Sequence, residues 1–167
     1  KIQSVIYDNN GAVSLASKIK SIHDGFETAK NKLPIQYKEF SLKELEFWSQ
    51  YGINVETLHK FNVHSIESYN GISKEGREFL LTSSIEQPIF GYQGRRYTKL
   101  YRPFSRLRFL YTGEITENYI FGFEQLPVRG DILFITGGEK DVLSLSSHGL
   151  NAICLNSETA HIPKNLL

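Results

Sequence analysis

Residues 131–158 read DILFITGGEKDVLSLSSHGLNAICLNSE, and this stretch decides the fold of the chain around it. Its apolar run at residues 132–135 predicts a strand buried on both faces. Two glycines break that run, and a helical pattern of apolar residues then continues until Gly149. A second apolar run, at residues 151–155, predicts another strand. Strand, helix and strand in this order predict a right-handed β-α-β crossover unit.

Acidic side chains gather where such a unit binds its ligands. Glu139 and Asp141 follow the first predicted strand, and Glu158 follows the second. Ligands of open α/β units bind at the carboxyl ends of the strands, so the three carboxylates fall at the edge where chemistry is expected. An alternative stays open here, because acids are also favoured in the first turn of a helix for structural reasons.

The composition is that of a globular domain, with 167 residues of which 40% are hydrophobic. Lys and Arg (19) nearly balance Asp and Glu (18), so the net charge indicates no class of partner. The single cysteine, Cys154, excludes an internal disulfide and a thiolate metal site, which favours a reducing, cytoplasmic location. No apolar run has the length of a membrane span, so no membrane partner is expected.

Small helices are predicted ahead of a sheet. Helices are expected at about residues 12–22 and 26–33, after the capping-box pattern at residues 41–44, and after Asn54. From Ile66 to Gln125 the sequence changes to short, alternating, aromatic-rich segments, which predicts an antiparallel sheet. Its candidate strands are Ile66 to Tyr69, Gln87 to Tyr92, Tyr97 to Tyr101, Leu107 to Tyr111 and Tyr119 to Phe123.

Positive charge concentrates in one stretch of that predicted sheet. No acid occurs between Glu86 and Glu114, whereas six cations fall within fourteen positions: Arg95, Arg96, Lys99, Arg102, Arg106 and Arg108. In a strand, Arg106 and Arg108 would share one face and the apolar residues between them the other. Such a face suits single-stranded nucleic acid, because guanidinium groups pair with phosphates and bases stack on interleaved rings such as Tyr101, at about 1 to 3 kcal/mol per base. The alternative is that the rings form core and the cations protect an edge strand from aggregation.

The order of these segments resembles the RNA-polymerase domain of bacterial and bacteriophage replicative primases, with a Toprim fold that begins near Asp131. Three further segments carry the resemblance: YDNNGAVSLASKIKSIHDGFETAKNKL, which ends at Leu33, EFWSQYGINVETLHKFNV at residues 46–63, and KLYRPFSRLRF at residues 99–109, followed by YIFGFEQL. They are similar to the end of the primase zinc-binding module, to the helical element that opens the polymerase domain, and to the family's basic stretch.

The resemblance implies an α+β fold with small N-terminal helices, a mainly antiparallel basic sheet subdomain, and then the first β-α-β unit of a Toprim, Rossmann-like α/β fold. It places the tail of a zinc-binding module and a linker at residues 1–40, the basic subdomain at residues 41–130, and a truncated Toprim domain at residues 131–167. The implied activity is DNA-templated synthesis of RNA primers by nucleotidyl transfer that depends on Mg²⁺ or Mn²⁺.

The same resemblance implies roles for particular residues. Glu139 and Asp141 match the later acidic positions of the phage pattern and are the expected metal ligands, with Glu158 as a candidate third catalytic carboxylate. Lys99 and Arg108 fall near the two basic residues that the family places beside template and primer. The implied partners are a single-stranded DNA template, the RNA primer and nucleoside triphosphates, with a replicative helicase as a further candidate. Zinc belongs to the upstream module, whose ligands are absent from this sequence.

Gly137 departs from the family pattern, which has a glutamate at that position. Two hypotheses follow. In the first, the chain is a primase fragment that binds single-stranded DNA but does not make primers alone, because the Asp-x-Asp half of the site would lie beyond Leu167. The N-terminal Lys and the absence of Met from the sequence are what we expect of such a fragment. In the second, it is a catalytically inactive Toprim-like module of a phage or mobile-element replication protein that only binds nucleic acid. A Toprim nuclease or topoisomerase would not explain the order of the segments.

Overall fold

The structure, a computed structural model, describes residues 34–114 and 119–156. The helices predicted at residues 12–22 and 26–33, and Glu158, lie outside these described residues. From Ile35 onward the described residues belong to one compact unit. It combines α and β structure, with a mostly antiparallel arrangement of strands and few helices, as expected.

Six strands form the first sheet. They are β1 (Ile35–Lys38), β2 (Val63–Ile72), β3 (Glu78–Thr82), β4 (Ile89–Gln93), β5 (Tyr97–Tyr101) and β6 (Phe109–Gly113). The order is β1-β2-β4-β5-β6, with β3 paired to the far end of β2, and every pairing is antiparallel. β5 occupies the residues predicted for it, and β2, β4 and β6 overlap their predicted positions.

Two short helices precede β2. Helix α1 (Leu42–Ser49) begins with the predicted capping box, in which the Ser41 hydroxyl accepts a hydrogen bond from the Glu44 amide and the Glu44 carboxylate accepts one from the Ser41 amide. Helix α2 (Val55–Lys60) is capped by the Asn54 side chain, which accepts from the Thr57 amide at 2.8 Å. The helix starts predicted at Ser41 and Asn54 are therefore confirmed.

A smaller sheet completes the described fold. Its strands are β7 (Ile120–Phe121), β8 (Phe134–Thr136) and β9 (Ala152–Leu155), in the order β7-β9-β8, and helix α3 (Glu139–Ser147) connects β8 to β9. β8 and β9 are parallel, which is the pairing predicted for a β-α-β unit. Gly149 follows α3 with a φ of 78°, a left-handed conformation in which glycine avoids the penalty of a Cβ atom.

The expectation that the first apolar run is buried on both faces is wrong. Ile132, Phe134 and Ile135 are 66%, 38% and 45% exposed. Within the described residues β8 is an edge strand, so it gains cover only on the side of β9 and α3. The central strand β9 has the burial that was expected of β8, because Ile153 and Cys154 are fully buried.

Three further differences concern strand positions. β6 begins at Phe109, so Arg106 and Arg108 lie in the preceding loop and do not share a strand face. The Arg102 amide donates a hydrogen bond to the Arg108 carbonyl at 2.7 Å, which closes that loop. β7 joins the second sheet through its pairing with β9, although the prediction placed it in the first. β1 and β3 were not predicted, because both are short strands held mainly by pairing with β2.

One hydrophobic core connects the two sheets. Its buried members come from α1, α2, the first sheet, the second sheet and α3, and they are Phe47, Trp48, Ile53, Leu58, Phe61, Val63, Phe90, Tyr92, Tyr101, Tyr119, Phe121, Val142, Leu143, Ala152 and Cys154. Complete burial of a Val, Leu, Ile or Phe side chain stabilises a fold by about 1.5–3 kcal/mol. Residues on either side of position 130 therefore contribute to the same core.

Among residues 34–114 and 119–156, no helix combines the length and the apolar character that crossing a bilayer requires.

Candidate functional site

Lys99 and Glu139 form a buried ion pair between the two parts of the fold. Lys99 Nζ lies 2.5 Å from Glu139 Oε1, and the two side chains are 5% and 4% exposed. Lys99 is in the middle of β5, and Glu139 is the first residue of α3. The pair thus joins the first sheet directly to the start of the helix in the β-α-β unit.

The burial of Lys99 follows from strand geometry. Alternate residues of a strand share a face, so Lys99 lies on the same face as Tyr97 and Tyr101. That face packs on the shared core, whereas Leu100 points to a second cluster of buried residues. The ammonium group lies 4.5 Å from the centroid of the Phe109 ring and 5.6 Å from that of Tyr111, within the range of cation–π attraction.

Tyr119 completes the cluster. Its hydroxyl donates a hydrogen bond to Glu139 Oε1 at 2.6 Å, and its ring centroid lies 5.4 Å from Lys99 Nζ. Burial raises the pKa of Tyr119 well above its usual range, and the negative charge of Glu139 raises it further. Tyr119 therefore stays protonated and remains a hydrogen-bond donor. We call Lys99, Glu139 and Tyr119 the buried triad.

The carboxylate of the buried triad also affects its neighbours. Burial, followed by the charge of Glu139, raises the pKa of Tyr97 to about 12. The same two causes raise the pKa of the Cys154 thiol, so this buried cysteine stays neutral and unreactive at physiological pH. Cys154 is thus a small residue of the shared core.

The residues expected to bind Mg²⁺ do not fit a divalent cation in this arrangement. Hard cations take several oxygen ligands, and Glu139 Oε1 already accepts from an ammonium and a hydroxyl group. Asp141 is exposed, and Gly137 supplies no side-chain oxygen. Among the described residues, no group of three or more His, Cys, Asp or Glu side chains is placed to hold a metal ion.

The predicted basic residues fall into two groups at opposite ends of β5. Arg95 and Arg96 lie in the turn between β4 and β5, and Arg102, Arg106 and Arg108 lie between β5 and β6. At 3.4 Å per residue, the Cα atoms of Arg96 and Arg102 are separated by about 20 Å. The six cations of the sequence therefore do not form one continuous face, and one of them, Lys99, is internal.

The two arginine groups differ in their partners. Arg95 Nε lies 3.0 Å from a carboxylate oxygen of Glu124, and Arg96 Nη2 lies 2.6 Å from one of Glu114. No acidic side chain within residues 34–114 and 119–156 forms an ion pair with the arginines of residues 102–108. We call residues 102–108 the basic loop.

The basic loop also exposes apolar side chains. Phe104 is 59% exposed and Leu107 is 58% exposed, and Arg106 and Arg108 are exposed beside them. Phe104 keeps one contact with the core, an edge-to-face approach to Phe47 with ring centroids 5.7 Å apart. A fixed, accessible ring among arginines is suited to stack against a base while the guanidinium groups pair with phosphates.

Tyr101, the ring chosen from sequence, lies in the core. It is 7% exposed and stacks on Phe109 and Tyr92 at centroid distances of 5.3 and 6.0 Å. Neither Tyr101 nor Lys99 is accessible to a ligand in this structure. The burial of Lys99 could have been predicted from sequence, because the alternation of strand residues places it on the same face as Tyr97 and Tyr101.

Sequence reasoning also missed two members of the site. Phe104 appeared only as one of several interleaved aromatics, and nothing in its immediate sequence separates an exposed ring from a buried one. Tyr119 was only the start of a predicted strand; its contact with Glu139 joins residues that are 20 positions apart in sequence. Comparisons with protein-family models, with curated proteins and with solved structures give no match for this chain.

Proposed function

We propose that this chain binds single-stranded nucleic acid through its basic loop. The observation that carries the proposal is the loop itself, which combines three arginines that have no acidic partner among the described residues with the exposed ring of Phe104. Phosphates would pair with the guanidinium groups, and one base would stack on the ring. Single strands are favoured over duplex, because only unpaired bases present a free face for stacking.

The fold supports the loop as a rigid platform. The loop connects two paired strands, β5 and β6, and the amide-to-carbonyl bond from Arg102 to Arg108 fixes its base. Phe47, which Phe104 contacts, belongs to the shared core. A loop backbone and a ring held in this way lose little conformational entropy when a ligand arrives, so the ordering cost on binding falls mainly on the arginine side chains.

The wider role that we propose is that of a nucleic-acid-binding part of a primase-type replication protein. This rests on the resemblance in the order of segments, together with the position of the first sheet beside a parallel β-α-β unit. The partner would be the single-stranded template or its short hybrid with a primer. Of the two hypotheses raised from sequence, the binding-only module agrees better with a Glu139 carboxylate that is occupied by Lys99.

The test compares the two arginine groups. Fluorescence anisotropy with a labelled oligothymidylate measures the affinity of the wild-type chain, of Arg106→Ala/Arg108→Ala, and of the matched control Arg95→Ala/Arg96→Ala. Both double variants lose two positive charges. We expect the loop variant to bind roughly tenfold more weakly or worse, and the turn variant to stay close to the wild type.

Equal losses in the two variants would mean that only the total charge matters and that the loop is not the site. An unchanged affinity in the loop variant would leave the arginines with a solvating role on the surface. A labelled duplex of the same length, measured in parallel, checks the preference for single strands.

A further inference from the structure

We infer that Lys99 is an internal counterion of Glu139, held at the carboxylate to which the resemblance assigns a divalent metal. The chain would then keep its β-α-β unit attached to the first sheet without Mg²⁺ at Glu139. This inference does not depend on the basic loop being the binding surface.

The charges of Lys99 and Glu139 balance inside a site that is closed to solvent. Both side chains are about 95% buried, and the carboxylate receives a second, neutral donor from Tyr119. An ion removed from water is tolerated only when it is paired and hydrogen-bonded. With one ammonium for one carboxylate the cluster is neutral, so a dication added at the same oxygen would leave an excess of positive charge in a region of low dielectric constant.

Aromatic rings hold the Lys99 ammonium group in place from several sides. The rings of Phe109, Tyr111 and Tyr119 surround it, with centroids 4.5, 5.6 and 5.4 Å from Nζ. The negative faces of aromatic rings stabilise a cation at this range. Release of Lys99 from Glu139 would give up the ion pair and at the same time these contacts, so a metal gains access to the carboxylate only at a high free-energy cost.

Among residues 34–114 and 119–156, no further metal ligand supports Glu139. A glycine at position 137 takes the place of the carboxylate that the family pattern has there, and Asp141 is exposed to solvent. With ligands from the described residues alone, a metal at Glu139 would have to complete its shell largely with water, which a carboxylate that is 4% exposed does not readily allow. The pairing with Lys99 is thus the arrangement that the described residues favour.

Mn²⁺ binding tests the inference on the intact chain. Free hexaaquo-Mn²⁺ gives a strong six-line electron paramagnetic resonance signal that weakens when the ion binds protein. We expect an equimolar addition of MnCl₂ to give the same signal with the wild-type chain and with Glu139→Gln. Uptake of one equivalent by the wild type that Glu139→Gln abolishes would overturn the inference.

A charge-pair cycle gives a second readout. The melting temperatures of the wild type, Lys99→Met, Glu139→Gln and the double variant follow from the fluorescence of Trp48. Each single variant leaves one buried charge unpaired and should melt roughly 10 °C lower, whereas the double variant should recover about half of that loss or more. Lys43→Met, an exposed lysine on α1, is the control and should leave the melting temperature unchanged. Single variants that melt like the control, or strictly additive losses in the double variant, would contradict the internal pairing.

Discussion

Glu44 shows how one side chain can serve both a helix end and a sheet. Its carboxylate accepts from the Ser41 amide and hydroxyl at the start of α1, from the Ser65 hydroxyl of β2 at 2.8 Å, and lies 3.2 Å from Lys38 Nζ of β1. Burial would raise the pKa of Glu44, but these hydrogen bonds outweigh it and hold the pKa below its usual value. Glu44 is therefore charged in the folded protein at neutral pH.

This arrangement predicts a dependence of stability on pH. A carboxyl whose pKa is lower in the folded than in the unfolded chain adds stability above its ordinary pKa, and that stability is lost as the pH falls from about 4.5 through the lowered folded value. Glu44→Gln should lower the free energy of unfolding at pH 7 by about 1–2 kcal/mol, and the variant should lose less stability than the wild type below pH 4.5. Urea unfolding followed by the fluorescence of Trp48 measures both quantities. Glu46→Gln, an exposed control on the same helix, should keep the wild-type dependence of unfolding free energy on pH. If the unfolding free energy of Glu44→Gln falls with pH in parallel with that of the wild type, the role of Glu44 is refuted.

Gly122, which directly follows β7, allows the backbone to lie close to β9. Its φ is 89°, and a Cβ atom at this position would lie 2.7 Å from the carbonyl oxygen of Ala152 in β9. A non-glycine residue with this φ costs about 1–3 kcal/mol in backbone strain. Gly122→Ala should lower the free energy of unfolding by more than this, because the added Cβ also clashes with the Ala152 carbonyl oxygen. Gly76→Ala is the matched control, because its φ of 77° is similar but no atom lies within 4 Å of the added Cβ. Equal losses in the two variants would show that the contact with β9 does not matter.

Phe104 is the side chain of the basic loop on which we expect a base to stack. Phe104→Ala should weaken the binding of an oligothymidylate about tenfold, because a base stacked on an aromatic ring contributes about 1–3 kcal/mol. Leu107→Ala is the control, since it removes an apolar side chain of similar exposure from the same loop without removing a ring. Fluorescence anisotropy gives both affinities, and thermal unfolding shows whether the lost contact with Phe47 affects stability. Equal losses for Phe104→Ala and Leu107→Ala would argue against stacking.

The elements could be predicted from sequence where local chemistry determines them. The capping residues Ser41 and Asn54 and the terminating Gly149 predicted three helix boundaries, because a cap is a contact between neighbours in sequence. The parallel pairing of β8 and β9 followed from the strand-helix-strand order. The burial of β8 was predicted wrongly, because the same apolar run fits a central or an edge strand and only the neighbouring strands distinguish them.

At the scale of the whole molecule, the site depends on contacts that no local pattern contains. The buried triad takes one residue from β5, one from the segment before β7 and one from α3, and a shared core holds these elements together. Sequence identified Lys99 and Glu139 as chemically important but assigned them to different ligands. Their pairing could not be predicted, because it depends on how the first sheet packs against the β-α-β unit.

The salt dependence of binding shows whether the arginines of the basic loop contact the phosphates of a single strand. For single strands, the logarithm of the binding constant falls with the logarithm of the salt concentration with a slope of about −0.7 for each phosphate neutralised. Three arginines of the basic loop should therefore account for about two units of the wild-type slope. We predict that Arg102→Ala/Arg106→Ala/Arg108→Ala flattens the slope by about two units, whereas Arg95→Ala/Arg96→Ala keeps the wild-type slope. A triple variant whose slope equals that of the wild type would show that these arginines make no contact with the phosphates, and would contradict the account.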